Sequence, residues 1–162
     1  MTDQTHASRR NQRRAGVLLH ISSLPSAFYT GDLGAEAYRF VDFLADIGAS
    51  VWQTLPINMP HADNSPYQCL SAHAGNPDFI SLEALQAQGL LTKEDLGGLL
   101  SSKMHLMAKA YTAFSQQAEV DTAGKKAYQA FTLFCKKEAQ WLNDFALFLA
   151  LRNQFNQAGW NH

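Results

Sequence analysis

Gly16-Val17-Leu18-Leu19-His20 and, further on, Ala49-Ser50-Val51-Trp52-Gln53-Thr54-Leu55-Pro56-Ile57 are the two apolar runs that decide how this chain folds. The first is short and unbroken, entered from Arg14 and left through Ser22, Ser23, Pro25 and Ser26. Such a run reads as a strand buried on both faces, the kind that parallel sheets contain. The second is partly β-branched and closes at Pro56. Between them Asp32 and Gly34 make a helix entry, and Glu36 falls in the first turn, where the helix dipole favours a carboxylate. Ala37, Phe40, Val41, Leu44 and Ile47 then recur at helical spacing until Gly48 supplies the stop. Strand, helix and strand within about 40 residues predict a right-handed β-α-β unit, the repeat of a barrel or of a doubly wound sheet.

From Asn58 to Pro77 the residues are Pro, Asn, Asp, Ser, His and Gly without periodicity, which predicts one long loop. Loops of that length are usually functional, and in parallel α/β folds the ends of strands are where ligands bind. The second half is different. Leu82 to Gln88 reads as a helix closed by Gly89, Thr92 with Asp95 opens another, and Met104 to Gln117 and Lys125 to Phe155 are long helical patterns. Phe131, Phe134, Cys135, Leu142, Phe145, Leu149 and Phe155 are expected to line one face, with a break near Asn143 and Asp144. No third strand is legible, so the helical part is either a subdomain inserted into a larger barrel or a separate bundle. The expected divisions are a polar tail over 1–13, the β-α-β part with its loop over 14–80, and a helical subdomain over 81–162.

The 162 residues are 46% apolar and 17% charged, a globular composition. Thirteen Lys and Arg stand against 14 Asp and Glu, so no net field draws a polyanion or a lipid surface, and a neutral partner is expected rather than nucleic acid or membrane. Arg9, Arg10, Arg13 and Arg14 read as a solvated tail. Cys69 and Cys135 lie far apart without CxxC spacing and read as buried or half-buried thiols of a reducing cell. No apolar stretch has signal-peptide or membrane-span character, so a cytoplasmic protein is expected.

Several polar residues invite a chemical role. Tyr67 offers a ring that stacks on the apolar face of a pyranose and a hydroxyl that bonds a sugar or a carboxylate. Taken alone, a loop tyrosine beside Pro66 reads as packing, and Ser65 as a turn hydroxyl bonding its own backbone. Asp32 is explained by helix entry. Asp63 and Asp78 read as turn formers, and Gly75-Asn76-Pro77 as a turn with a permissive glycine before a proline-restricted residue. Gln53 reads as a hydrogen-bonding residue of the sheet interior. His20, His61 and His73 lack the spacing of a metal site, so no metal is expected.

Five motifs change that reading together: Gly16 to Pro25, Gly31-Asp32-Leu33-Gly34, Trp52-Gln53-Thr54-Leu55-Pro56, Ser65-Pro66-Tyr67-Gln68 and Gly75-Asn76-Pro77. From about Arg14 to the last residue the chain closely resembles the N-terminal part of the amylomaltases, the 4-alpha-glucanotransferases. The resemblance implies an α/β fold: the N-terminal portion of a TIM (β/α)8 barrel, its first two strands, with a mainly α-helical inserted subdomain, and hence an incomplete barrel. It also implies transfer of α-1,4-glucan segments to glucose or another glucan with retention, α-1,4-glucans and maltooligosaccharides as partners, and no cofactor. Tyr67 and Ser65 are then the substrate-binding residues. Family members are several hundred residues long, so the chain is expected to be a fragment, with the catalytic aspartate, glutamate and second aspartate beyond His162 and no catalytic residue within it. Two departures stand out: Asn58-Met59-Pro60-His61-Ala62-Asp63-Asn64 replaces a segment that is often Gly-rich with an aromatic residue, and His73 stands where Phe is common. Read as complete, the chain would instead be a noncatalytic carbohydrate-binding or protein-interaction module, or the product of a decayed gene.

Overall fold

The computed structural model describes residues 13–28, 30–97 and 102–156. Arg9 and Arg10 of the basic tail lie outside them. The described residues form two compact units: those up to Ile57 together with Asn76–Ser81, and Asn58–Gly75 together with those from Leu82 onward.

In the first unit β1 (Gly16–Leu18) pairs in parallel with β2 (Val51–Gln53), in the register Gly16 to Val51, Val17 to Trp52 and Leu18 to Gln53. The helix between them, α1 (Ala35–Asp46), packs on β2. Its entry is the one expected: Asp32 is buried, and its Oδ1 accepts the Gly34 N–H at 2.8 Å. Its end is a Schellman turn, in which the Gly48 N–H bonds the Ala45 carbonyl and the Ala49 N–H the Leu44 carbonyl. That turn needs a left-handed residue, and Gly48 has φ 74°. Ile21, Leu24, Ala37 and Phe79 make the core, with Leu19, Phe40 and Trp52 against it. Trp52 meets the Phe40 ring edge-on at 5.0 Å and donates its indole N–H to the Leu19 carbonyl at 2.8 Å.

The β-α-β order holds, but burial of both strand faces does not. Leu18 is 57% exposed, and Val41 of α1 and Ile47 just after it are exposed too. A parallel strand is buried on both sides only where a layer covers each face. Here two three-residue strands carry one helix.

The second unit is helical apart from residues 58–75: α2 (Leu82–Ala87), α3 (Lys93–Gly97), α4 (Lys103–Val120), α5 (Thr122–Lys137) and α6 (Ala139–Gln154). Leu82, Leu91, Leu106 and Ala110 are buried. A capping box starts α3: the Asp95 carboxylate accepts the Thr92 N–H at 2.8 Å while Thr92 Oγ1 accepts the Asp95 N–H at 3.3 Å. Asp95 also pairs with Lys109 of α4. The helices α4 and α5 pack together through Tyr111, Phe114, Tyr128 and Phe131, whose rings lie 5.8–6.0 Å apart.

Three details of the helical expectation are corrected. The last segment begins at Thr122, because Asp121 Oδ1 accepts the Gly124 N–H at 2.6 Å and so caps α5. It breaks at Glu138, not near Asn143 and Asp144, which are exposed inside α6. In solvent their side chains have water to bond and need not compete for backbone groups. Nor do the seven apolar residues share one buried face, since Phe134 and Phe155 are exposed. Among the described residues no helix is long and apolar enough to cross a membrane.

Candidate functional site

The stretch predicted as an aperiodic loop is a closed antiparallel hairpin. Asn58 bridges Gly75, and Pro60 bridges Cys69. The second bridge is flanked by two backbone bonds, from the Leu70 N–H to the Met59 carbonyl at 2.8 Å and from the His61 N–H to the Gln68 carbonyl at 3.0 Å. Pro60 therefore sits opposite Cys69 at a position where no N–H is called for, which is how a proline enters an antiparallel ladder without loss. Asn58 Nδ2 adds a bond to the Ala74 carbonyl at 3.3 Å.

Two successive turns shape the apex. The Asn64 N–H bonds the His61 carbonyl at 3.0 Å, with Asn64 in the left-handed region at φ 56°. Asparagine is one of the few side chains that tolerates this conformation. The Gln68 N–H then bonds the Ser65 carbonyl at 3.1 Å, so Ser65 to Gln68 is a β-turn with Pro66 and Tyr67 at its centre. Proline fixes the first central φ, and a tyrosine without positive φ in the second place fits the type I form. Asp63 is the turn former expected, its Oδ1 accepting the Ser65 N–H at 3.2 Å.

This turn brings the two predicted sugar contacts into one four-residue unit and displays them. Tyr67 is 73% exposed. Among the described residues its ring has no aromatic neighbour and its hydroxyl no hydrogen bond. A packing tyrosine would be covered, and this one is presented. Ser65 is half-buried, and among the described residues its backbone, not its hydroxyl, carries its hydrogen bonds. An open hydroxyl beside an open ring suits an extended polyol, which offers both apolar C–H faces and hydroxyl pairs.

Other candidates fall elsewhere. Asn76 caps the short 3-10 turn Pro77–Phe79 by accepting the Asp78 N–H at 3.0 Å. Gly75 needs no special conformation, its added Cβ would meet nothing within 4 Å, and nothing in the structure explains the glycine. Gln53 has an exposed side chain and takes part through its carbonyl, which accepts the Leu19 N–H at 3.0 Å. Its expected side-chain role in a sheet interior is not found, because the strand face that carries it is open. Cys69 is exposed, contrary to expectation, and Cys135 is half-buried. Alternation at the bridge with Pro60 turns the Cys69 side chain to solvent. His20 lies edge-on to Phe79 at 5.4 Å with Nδ1 buried and, among the described residues, without a partner. Burial lowers its pKa. Among the described residues no three His, Cys, Asp or Glu come together as a metal site would require.

One group was not legible in the sequence. The His73 ring stacks on Trp141 at 5.6 Å and 21°. Trp141 in turn donates its indole N–H to Glu138 Oε2 at 2.8 Å. That bond, with Lys137 at 3.6 Å from the same carboxylate, holds the Glu138 pKa below its ordinary value. Glu138 also ends α5 and starts α6. The only trace in the sequence is an acid three residues before a tryptophan.

Comparison with known proteins supplies the wider setting. The family described as 4-alpha-glucanotransferase matches residues 19–162. The 4-alpha-glucanotransferase of Synechocystis sp. is 38% identical over 93% of this chain and 32% of its own length. That of Thermus thermophilus is 38% identical over 92% of the chain and 31% of its own. A chloroplastic/amyloplastic 4-alpha-glucanotransferase of Arabidopsis thaliana is 35% identical over 93% and 27% respectively. Among solved structures, amylomaltase from Streptococcus agalactiae in complex with acarbose superposes with a TM-score of 0.74 at 32% identity, over 91% of this chain and 31% of that one. The chain thus spans about a third of the length of the curated relatives it matches.

Proposed function

The chain belongs to the 4-alpha-glucanotransferase family, and from that premise we propose that the protein transfers a segment of an α-1,4-glucan to the 4-hydroxyl of glucose, a maltooligosaccharide or another glucan, with retention at the anomeric carbon. The observation that carries this reading for these residues is the hairpin apex, where an uncovered Tyr67 ring and the Ser65 hydroxyl share one β-turn. Tyr67 stacks on the reacting sugar and directs its hydroxyl to a sugar oxygen or a catalytic carboxylate, and Ser65 contacts a neighbouring sugar hydroxyl.

Retaining transfer needs two facing carboxyl groups about 5 to 5.5 Å apart, one a nucleophile and the other an acid and then a base. Among the described residues several carboxylates have other duties: Asp32 at a helix entry, Glu36 with Arg39, Asp63 at a turn, Asp95 with Lys109, Asp121 as a cap and Glu138 on an indole. The catalytic pair belongs to the two thirds of the relatives that this chain does not span. In the same reading β1 and β2 are the first two strands of a TIM barrel, within a part covering 14–80, and the helices of 81–162 are a subdomain inserted into it. The superposition on the amylomaltase structure supports that arrangement. Maltodextrins of the cytoplasm are the substrates proposed, and the chemistry needs no cofactor.

The test is disproportionation of maltotriose by the full-length protein that carries these residues. Transfer exchanges one glycosidic bond for another, so glucose and longer oligomers should form with no net rise in reducing ends. No redistribution, or a rise in reducing ends that accounts for all the glucose, would overturn the reading.

A further inference from the structure

The hairpin carrying Tyr67 is hydrogen-bonded to itself. Every bond from residues 58–75 found among the described residues ends on the hairpin or on the backbone at its base. The ring contact that ties it to the helical part of its unit is His73 on Trp141, at 5.6 Å and nearly parallel. The far side of that contact is well held. Trp141 is half-buried in the first turn of α6 and fixed by its indole N–H on Glu138, at the point where α5 gives way to α6. On the near side His73 is oriented by Ser71, whose Oγ accepts the N–H groups of both His73 and Ala74 at 3.1 Å. That turn stands directly before the Asn58 to Gly75 bridge, and the carbonyl of Ala74 beside His73 accepts the Met59 N–H at 3.3 Å, so His73 is joined to the strand that leads to the Pro60 and Cys69 bridge.

We propose that His73 is a positioning residue for the sugar-contacting hairpin: by stacking on Trp141 it pins the hairpin to α6 and sets where Tyr67 and Ser65 stand. This rests on the assignment of Tyr67 to the sugar site, and the contact itself does not. A flat ring is what the pin requires, because offset or near-parallel aromatic pairs add stabilisation beyond the area they cover.

The experiment compares wild type, His73→Ala, His73→Phe and Tyr67→Ala by hydrogen exchange of the peptides covering 58–75 and by maltotriose affinity. In His73→Ala the hairpin peptides should exchange roughly two- to tenfold faster, the range that an aromatic pair contributes. The α4 and α5 peptides should be unchanged, which shows that the variant is folded. His73→Phe, which keeps the ring, should restore wild-type exchange. Maltotriose affinity should fall in His73→Ala, by up to the same factor, because only molecules with the hairpin seated bind. It should return in His73→Phe. Hairpin exchange that is the same in His73→Ala and wild type overturns the pin. Looser exchange with affinity intact in His73→Ala but lost in Tyr67→Ala overturns the positioning role. Affinity intact in both, with a loosened hairpin, overturns the sugar-site reading and leaves the pin in place.

Discussion

Replacing Tyr67 by alanine separates binding chemistry from packing, because the side chain is mostly uncovered. Tyrosine 73% exposed has about a quarter of its surface covered. A fully buried tyrosine removes some 150–250 Å² from water, so the covered part is on the order of 50 Å². At about 25 cal/mol per Å² its loss costs the fold about 1 kcal/mol. The thermal melt should therefore move by a few degrees only. If the ring orients the reacting glucose and helps aim a carboxylate, the interaction is stronger in the transition state than in the ground state, and its loss lowers turnover. A tenfold fall corresponds to about 1.4 kcal/mol of barrier, and that is the smallest effect expected. The assay is maltotriose disproportionation by the full-length protein at saturating donor, with the melt recorded on the same sample. Tyr67→Phe keeps the stacking face and should lose less. Wild-type turnover in a normally melting Tyr67→Ala protein would show that the tyrosine has no part in the reaction.

Residues 1–162 alone should not disproportionate maltotriose, since retaining chemistry needs a facing carboxylate pair; glucose and longer oligomers above a heat-killed control would refute this. The same residues expose Leu18, Tyr38, Val41, Phe43 and Ile47 on a two-stranded unit, so they should self-associate or melt broadly. A sharp melt from a dispersed monomer would contradict it. The Asp95 carboxyl is held down at about 2 by its bond to Lys109 and by the Thr92 N–H. With the folded pKa below the unfolded one, the unfolded chain binds more protons in acid, and this group's stabilisation is complete above about pH 5 and lost towards pH 2. Urea melts of wild type and Asp95→Asn should therefore converge between about pH 5 and pH 2; a constant gap would mean that the charge of Asp95 does not matter.

How much of this was legible depended on the range of each interaction. The helix α1 was readable because its period, its Asp32 entry and its Gly48 stop are all local. So was the Thr92 and Asp95 box. The hairpin was not, because its bridges join Asn58 to Gly75 and Pro60 to Cys69 with no alternation of polar and apolar residues to announce a strand. The break at Glu138 was misplaced because Asn143 and Asp144 are good caps by type, while solvent exposure leaves them free to stay helical. Strand burial was overestimated because an apolar run says what a strand could tolerate on its faces, not what lies there. Tyr67 stands out in the sequence only through its motif, and in the structure its ring is exposed. The stack of His73 on Trp141 joins residues far apart in the chain, and no local pattern encodes it.

The position of Pro60 has an evolutionary side. Because the hairpin is locked at the pair Pro60 and Cys69, with bonds on either side of it, residues 62–67 hang beyond a closed clasp. Exchanges there alter the exposed apex without re-registering the backbone below. Change in this segment would thus meet little resistance from folding, which makes the apex the part of the unit best suited to diverge.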